Sequence, residues 1–312
     1  MIISQIYSLI EISSSNFTAI RFFGLFLPIS IFFILIYDPS IIVNNFLERI
    51  LKLYIIILSL SIFIDFYILH SSLDISLQPM YREEDRSYMA RPFGLFGQPS
   101  VNSVLLVFFY TFWLSLENKN VKSSSYLFLL VTLGVLLQGS GSGFISYLML
   151  LTAYKYVNIF IKLIIFVLGA SGILFILNTF EILDKLSPEY IYGIVLVFFN
   201  QIGDWLDLID QSFYGSFFLG GISSRIDFGP LFIISNVGFI YFITLLILFI
   251  YLISICKNHY ERMCIYILLV GNLHYPVIFY MIMAFVLPLF IIKVISNLNS
   301  KKEIHHSIAN KL

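Results

Sequence analysis

The sequence predicts an all-α protein, a polytopic bundle of transmembrane helices that forms a single integral membrane domain over residues 1–312. Hydrophobic residues make up 59% of the chain and charged residues 12%, a balance that a soluble fold of 312 residues cannot bury. Apolar runs of about 17–25 residues, each long enough to cross a hydrocarbon core of about 30 Å, recur along nearly the whole length. Lysine and arginine gather in the short connections between these runs, as on the cytoplasmic side of membrane proteins.

Nine segments are predicted to span the membrane. They are 17–36, 51–69, 98–117, 125–138, 144–158, 160–177, 230–255, 263–273 and 277–295. Those at 125–138, 144–158 and 263–273 are short, so we expect them to tilt, bend or extend into neighbouring polar residues.

The basic residues of the short connections and of the C-terminal tail predict the orientation. We assign to the cytoplasm Arg49, Lys52, Lys119, Lys122, Lys155, Lys162, Lys257, Arg262, Lys293, Lys301, Lys302 and Lys311, and with them the C-terminus. The other basic residues, which then lie outside, are Arg21, Arg82, Arg86, Arg91, Lys185 and Arg225. The formal net charge of zero therefore separates into a basic inner face and an acidic outer face, which gives no sign of nucleic-acid binding.

The first long outer loop, residues 70–97, concentrates charge beside the membrane. Arg82 and Arg86 border an acidic triplet, and two interpretations are open: a polar chamber, or a solvated loop with ion pairs worth under about 1 kcal/mol each. Arg91 directly precedes Pro92 and the GLFG turn that leads into a span, which predicts a guanidinium at the membrane boundary. Such a planar, permanently charged fork suits a pyrophosphate headgroup, and snorkelling toward water is the alternative.

The second outer loop, residues 178–229, contains a predicted amphipathic helix that starts at Ser187-Pro188 and lies on or dips into the outer interface. Three aspartates of this helix share one face, which we interpret as a hydrated surface in preference to a cation site or a catalytic base. They are Asp204, Asp207 and Asp210.

Two further outer positions are candidates for ligand binding. Arg225 and Asp227 precede the span that begins near Pro230, and either they neutralise each other or Arg225 converges with Arg91 on one anionic ligand. His274 lies in the GNLHYP break, where it acts either as a hydrogen-bonding cap or as a donor to a phosphate oxygen or leaving group.

Two polar features lie close to or within the spans. Asp65 is a costly acid near the outer end of its span and requires a partner or water, in either a structural ion pair or a mechanistic role. The GSGSG stretch at 139–143 allows close approach of a ligand or a helix, and a tight interhelical turn explains it equally well.

Four motifs together resemble a known family of membrane enzymes. They are Arg91-x-x-Gly94 followed by Pro99 and Asn102, the turn in QGSGSGFISYLMLL, Asp227 followed by LFIISNVGFIYF, and the late outer His274. This set is similar to that of the Wzy-type O-antigen polymerase and ligase family, bacterial glycosyltransferases of the GT-C kind. Gly143 departs from the pattern, because many members carry an arginine after the serines of that turn.

The resemblance implies a polymerase for O-antigen, capsular or exopolysaccharide, which joins undecaprenyl-pyrophosphate-linked oligosaccharide repeat units by inverting transfer. The reaction is expected on the periplasmic face of the bacterial cytoplasmic membrane. The catalytic residues implied are Arg91, Arg225, His274 and Asp227, and the substrate-binding residues are Arg82, Arg86, Gly94 and Asn102. Cationic side chains take the place of a metal ion, so neither a metal nor a cofactor is expected. A chain-length regulator and a flippase of the same pathway are the implied protein partners.

Two alternatives use the same cationic residues. An O-antigen ligase of the same family would transfer the finished glycan to lipid A-core. A glycolipid flippase, a different class of protein, would hold a lipid pyrophosphate during transport, but the sequence shows no pair of related halves. We therefore rank transport below transfer.

Overall fold

The computed structural model describes residues 44–70, 92, 94–95, 98–116, 121–153, 188–211, 214–220, 228–256, 258–279, 282–283 and 285–296. Within these ranges the protein is helical and contains no strand, which confirms the predicted all-α class for this part of the chain. The predicted spans at 17–36 and 160–177 lie outside the described residues.

The chain divides into two compact units. The first unit comprises residues 48–202, and the second comprises residues 203–312 together with 1–47. The helices are α1 (Asn44–His70), α2 (Pro99–Ser115), α3 (Val121–Gln138), α4 (Gly141–Ala153), α5 (Pro188–Gln211), α6 (Tyr214–Leu219), α7 (Gly229–Val237), α8 (Phe239–Ile255), α9 (His259–His274) and α10 (Phe285–Ser296), with a 3₁₀ turn at Val277–Phe279.

Among the described helices, α1 is long and apolar enough to cross a membrane, over Phe46–Ile68. Five others are apolar over 12–17 residues, in α2, α3, α4, α8 and α10. The exposed side chains of α1 form an apolar stripe along one face, since they recur every three or four residues. They include Leu53, Ile57, Leu60, Ile64 and Tyr67.

Helix α2 is the centre of the first unit, since every residue from Val101 to Ser115 is buried. A helix that is apolar on all sides must be covered on all sides, and α1, α3 and α4 provide contacts around it. Lys52 of α1 lies over the Trp113 ring near the end of α2, 5.5 Å from its centroid. At the opposite end of α1, Asp65 contacts the turn that precedes α2, so the two helices run antiparallel.

Helices α3 and α4 pack on α2 in opposite directions. Tyr110 and Phe128 lie with ring centroids 6.1 Å apart, and Ser103 Oγ lies 2.7 Å from Gln138 Oε1, so α3 is antiparallel to α2. A Cβ added at Gly143 would overlap Ser103 Cβ and lie 2.7 Å from Ser103 Oγ. The GSGSG stretch therefore forms both the tight turn and the close helix approach that the sequence left as alternatives.

The second unit divides the predicted span 230–255 into α7 and α8. The break is at Gly238, whose φ of 99° is accessible to glycine and strained for other residues. A side chain there would also overlap the backbone of Phe218 and Leu219 at the end of α6. Similarly, the predicted span 277–295 begins with the 3₁₀ turn rather than with a continuous helix.

The connection between α8 and α9 is closed by side chains. Arg262 donates from Nε and Nη2 to the Cys256 carbonyl oxygen, at 3.1 and 3.0 Å, which satisfies the end of α8. Asn258 and Glu261 form a capping box at the start of α9. Burial, with a smaller contribution from Glu261, raises the pKa of the Cys256 thiol to about 12, so this thiol is poorly nucleophilic at neutral pH.

Two glycines of the first turn of α4 provide a matched test of the α2–α4 packing. We expect Gly143→Ala to lower stability by about 1–3 kcal/mol, because the added methyl group meets Ser103 in a filled interface. A Cβ added at Gly141 has no heavy atom within 4 Å. We therefore expect Gly141→Ala to leave the free energy of unfolding unchanged or to raise it by about 0.4–1 kcal/mol. Thermal unfolding of the two purified variants in detergent measures the difference, and equal melting temperatures would contradict the close approach.

Candidate functional site

The structure describes three of the predicted site residues. Gly94 and Asn102 belong to the first unit and His274 to the second. The other five, Arg82, Arg86, Arg91, Arg225 and Asp227, lie outside the described residues, so the predicted convergence of arginines stays a prediction.

Gly94 lies in a turn that is held by α1. Its φ is 62°, in the left-handed region that favours glycine. The Gly94 N–H donates to Asp65 Oδ2 at 3.2 Å, and the next N–H, that of Leu95, donates to Ser61 Oγ at 3.2 Å. Ser61 and Asp65 are four residues apart and therefore lie on one face of α1. Two consecutive backbone donors of the turn are thus bound to one helix.

Asn102 closes the other side of this turn. Its Nδ2 donates to the Gln98 carbonyl oxygen at 3.0 Å, and the side chain is buried. A Cβ at Gly94 would lie 3.1 Å from Asn102 Nδ2 and 3.2 Å from Ile62 Cγ1. Space and backbone angle therefore both favour glycine at position 94. Gly94 and Asn102 of the predicted motif therefore lie close together. We call the turn that contains Gly94 the Gly94 turn, and its described residues are Pro92, Gly94 and Leu95.

Asp65 was predicted to have a structural or a mechanistic role, and the structure gives it a structural contact. Its side chain is 2% exposed, and its carboxylate accepts the Gly94 N–H. Sequence reasoning missed the pairing of Ser61 and Asp65 with the turn, although their spacing of four near the end of an apolar span was a usable signal.

His274 is the last residue of α9, and its side chain is exposed. Its ring lies 4.4 Å, centroid to centroid, from the ring of Tyr275, whose N–H closes the helix on the Gly271 carbonyl oxygen at 3.1 Å. The imidazole therefore lies at the exposed C-terminal end of α9.

Helix α7 starts directly against this end of α9. A Cβ added at Gly229 would overlap the carbonyl oxygen of Asn272, so the two backbones are in contact. In the sequence, Arg225 and Asp227 come immediately before Gly229. The segment that carries them therefore leads into a helix whose first residue packs two positions from His274.

The outer helix predicted to start at Ser187-Pro188 is present as α5. Trp205 is buried, and its Nε1 donates to Ser235 Oγ of α7 at 2.6 Å. The three aspartates of this helix, Asp204, Asp207 and Asp210, are exposed, in agreement with the hydrated-surface interpretation. Among the described residues, no three His, Cys, Asp or Glu side chains are placed to hold a metal ion.

Comparison with known proteins adds no relative. No protein-family model, curated protein or solved structure matches the chain. The case for function therefore rests on the sequence motifs and on the geometry of the described residues.

The Gly94 turn generates a test by hydrogen exchange. Asp65→Ala removes the acceptor of a buried backbone N–H, a loss worth about 1–3 kcal/mol, so we expect exchange of the Gly94 amide to accelerate by about 10- to 100-fold. Ser61→Ala is the matched variant, because it removes the acceptor of the adjacent, exposed amide, where water can replace it, and should accelerate Leu95 by about 10-fold at most. Exchange with mass spectrometry of peptides over residues 92–98 measures both, and an unchanged rate in Asp65→Ala would contradict the role of Asp65.

Proposed function

We propose that this protein is a membrane glycosyltransferase of the Wzy type that polymerises polyprenyl-pyrophosphate-linked oligosaccharide repeat units. The Gly94 turn is the observation that carries the proposal. Gly94 of the Arg91-x-x-Gly94 motif lies close to Asn102, and the N–H groups of Gly94 and Leu95 are bound to α1 by Asp65 and Ser61. A rigid turn immediately after Arg91 suits a residue that must present its guanidinium in one orientation.

The helix packing supports a multi-span protein of about nine spans. Helices α1, α2 and α3 alternate in direction, as consecutive spans do, and the exposed stripe of α1 is apolar. Helix α8 has a similar exposed stripe of Ile240, Ile243, Ile247 and Ile250. Exposed apolar surface of this extent is typical of contact with lipid. In the proposed orientation, Lys52 lies toward the cytoplasm, while the Gly94 turn and the GSGSG turn lie toward the periplasm.

The proposed reaction transfers a growing glycan to the next repeat unit. The acceptor hydroxyl oxygen forms a bond with the anomeric carbon of the donor, and the bond from that carbon to the pyrophosphate oxygen breaks. The leaving polyprenyl pyrophosphate takes the electron pair, and the hydroxyl proton passes to a base, a role we assign to Asp227. Inversion at the anomeric carbon follows from attack opposite the leaving group.

Arginine and histidine side chains stabilise the charge that develops on the leaving group. We assign the pyrophosphate to Arg91 and Arg225, the wider donor headgroup to Arg82 and Arg86, and a hydrogen bond to the departing oxygen to His274. Fixed donors in a partly dehydrated cleft act more strongly than mobile donors in water, because they need no reorganisation during the reaction. This is the physical reason for fixing the turn beside Arg91.

The proposal predicts that Arg91→Ala and Arg225→Ala each abolish the polymer ladder at normal protein level. Loss of one preorganised donor costs about 100- to 1,000-fold in rate. Arg49→Ala is the matched control, since Arg49 is exposed at the end of α1 opposite to the Gly94 turn. This variant should leave the ladder intact. A gel of surface glycans, with analysis of lipid-linked intermediates, measures the effect.

Deletion of the gene separates the proposed function from its alternatives. Lipid A-core that carries one repeat unit, without the ladder, is the result expected of a polymerase. Bare core with lipid-linked polymer outside would identify a ligase, and single lipid-linked units held inside would identify a flippase. A wild-type ladder in both arginine variants would overturn the assigned pyrophosphate site.

A further inference from the structure

We infer that Asn272 is a positioning residue that sets the orientation of His274, an assignment that rests on the proposed function. Asn272 lies two residues before His274 in the last turn of α9 and is 7% exposed. Both ends of its carboxamide are used. Nδ2 donates to the Leu268 carbonyl oxygen at 2.7 Å, and Oδ1 accepts the Ile278 N–H at 3.2 Å.

These two bonds connect the end of α9 to the 3₁₀ turn that follows. Leu268 lies one helical turn before Asn272, whereas Ile278 lies six residues after it, beyond the break at Pro276. Ile278 is 1% exposed, so water cannot reach its N–H and take the place of the asparagine oxygen as acceptor. The side chain of Asn272 therefore closes a short loop, and His274 is carried on that loop.

Two backbone hydrogen bonds hold the rest of the loop. Tyr275 N–H donates to the Gly271 carbonyl oxygen at 3.1 Å, and Val277 N–H donates to the Tyr275 carbonyl oxygen at 2.7 Å. Pro276 between them has no N–H to contribute. The Asn272 side chain joins the helix to Ile278, beyond Val277.

Asn272 also contacts the start of α7 through its backbone. Its carbonyl group occupies the space where any side chain at position 229 would lie. Asn272 therefore holds the loop that carries His274 and also packs against the first residue of α7, the helix that follows Arg225 and Asp227 in the sequence. Asn272 has no place in the proposed chemistry itself and acts through His274.

A double-mutant cycle with purified full-length protein in lipid nanodiscs tests this assignment. The donor is a synthetic polyprenyl-pyrophosphate-linked oligosaccharide. Asn272→Ala is expected to lower kcat by about 100-fold, the scale of a misplacement of about 1 Å, with a much smaller change in KM. In the His274→Ala background the same change should have little further effect, because residues that act through one another are not additive.

Asn236→Ala is the matched control. Asn236 is 4% exposed, lies in the same unit, and donates from Nδ2 to the Phe232 carbonyl oxygen at 2.9 Å, four residues earlier, as Asn272 does to Leu268. This bond lies within α7. We expect Asn236→Ala to keep kcat within about threefold of wild type, because Asn236 does not act through His274.

Asn272→Asp adds a readout that loss of packing alone would not change. As a carboxylate, this side chain has no donor for the Leu268 carbonyl oxygen, whereas the protonated acid has one donor and one acceptor and reproduces the asparagine. The ratio of variant to wild-type kcat should therefore rise as pH falls in Asn272→Asp, and stay flat in Asn272→Ala.

The outcomes separate this inference from the proposed function. Wild-type kcat in Asn272→Ala, or effects of Asn272→Ala and His274→Ala that multiply fully, would overturn the positioning role. No transfer by the wild-type protein would overturn the proposed function instead. Hydrogen exchange of the Ile278 amide then tests whether Asn272 closes the loop. Faster exchange in Asn272→Ala but not in Asn236→Ala supports this closure, and equal exchange in the two variants overturns it.

Discussion

Backbone groups that leave a helix among apolar neighbours must find hydrogen-bond partners inside the protein, and the described structure is organised around this requirement. The bond from Gly94 N–H to the Asp65 carboxylate is the clearest case, because it joins residues 29 positions apart and sets the entry into the central helix α2. The Ile278 N–H is satisfied by Asn272 in the same way. Both of these breaks are therefore fixed by a side chain from the preceding helix, and both carry a residue of the proposed site, Gly94 in one and His274 in the other.

In the proposed reaction, fixed breaks would allow a helical bundle to hold charged groups in one geometry. A guanidinium or imidazole on a mobile loop would lose much of its effect, since orientation would have to be reached anew in each catalytic cycle. Here the Gly94 turn follows Arg91 directly, and the Asn272 loop contains His274. In the proposed reaction, the side chains that hold these breaks, Asp65 and Asn272, are therefore as important as Arg91 and His274, which bind the substrate.

Apolar run length predicted most of the described helices, and Ser187-Pro188 predicted the start of α5, because these signals are local. The break at Gly238 was not predicted, since one glycine within LFIISNVGFIYF is equally compatible with a continuous helix. What decides it is the contact with the backbone of Phe218, which no local pattern encodes. The partners of Asp65 and Asn272 were missed for the same reason, whereas the proximity of Gly94 and Asn102 agrees with their shared motif.

The burial of α2 has a consequence for the divergence of related chains. With every residue from Val101 to Ser115 covered, a change of volume at one position requires a compensating change in α1, α3 or α4. The outward positions of α1, such as Ile57 and Ile64, are exposed, so an exchange among apolar residues there requires no compensating change. We therefore expect substitutions to accumulate rapidly on outward faces and slowly, in compensated pairs, around α2. Descendants of a common ancestor can then keep this packing long after their overall sequences have ceased to resemble one another.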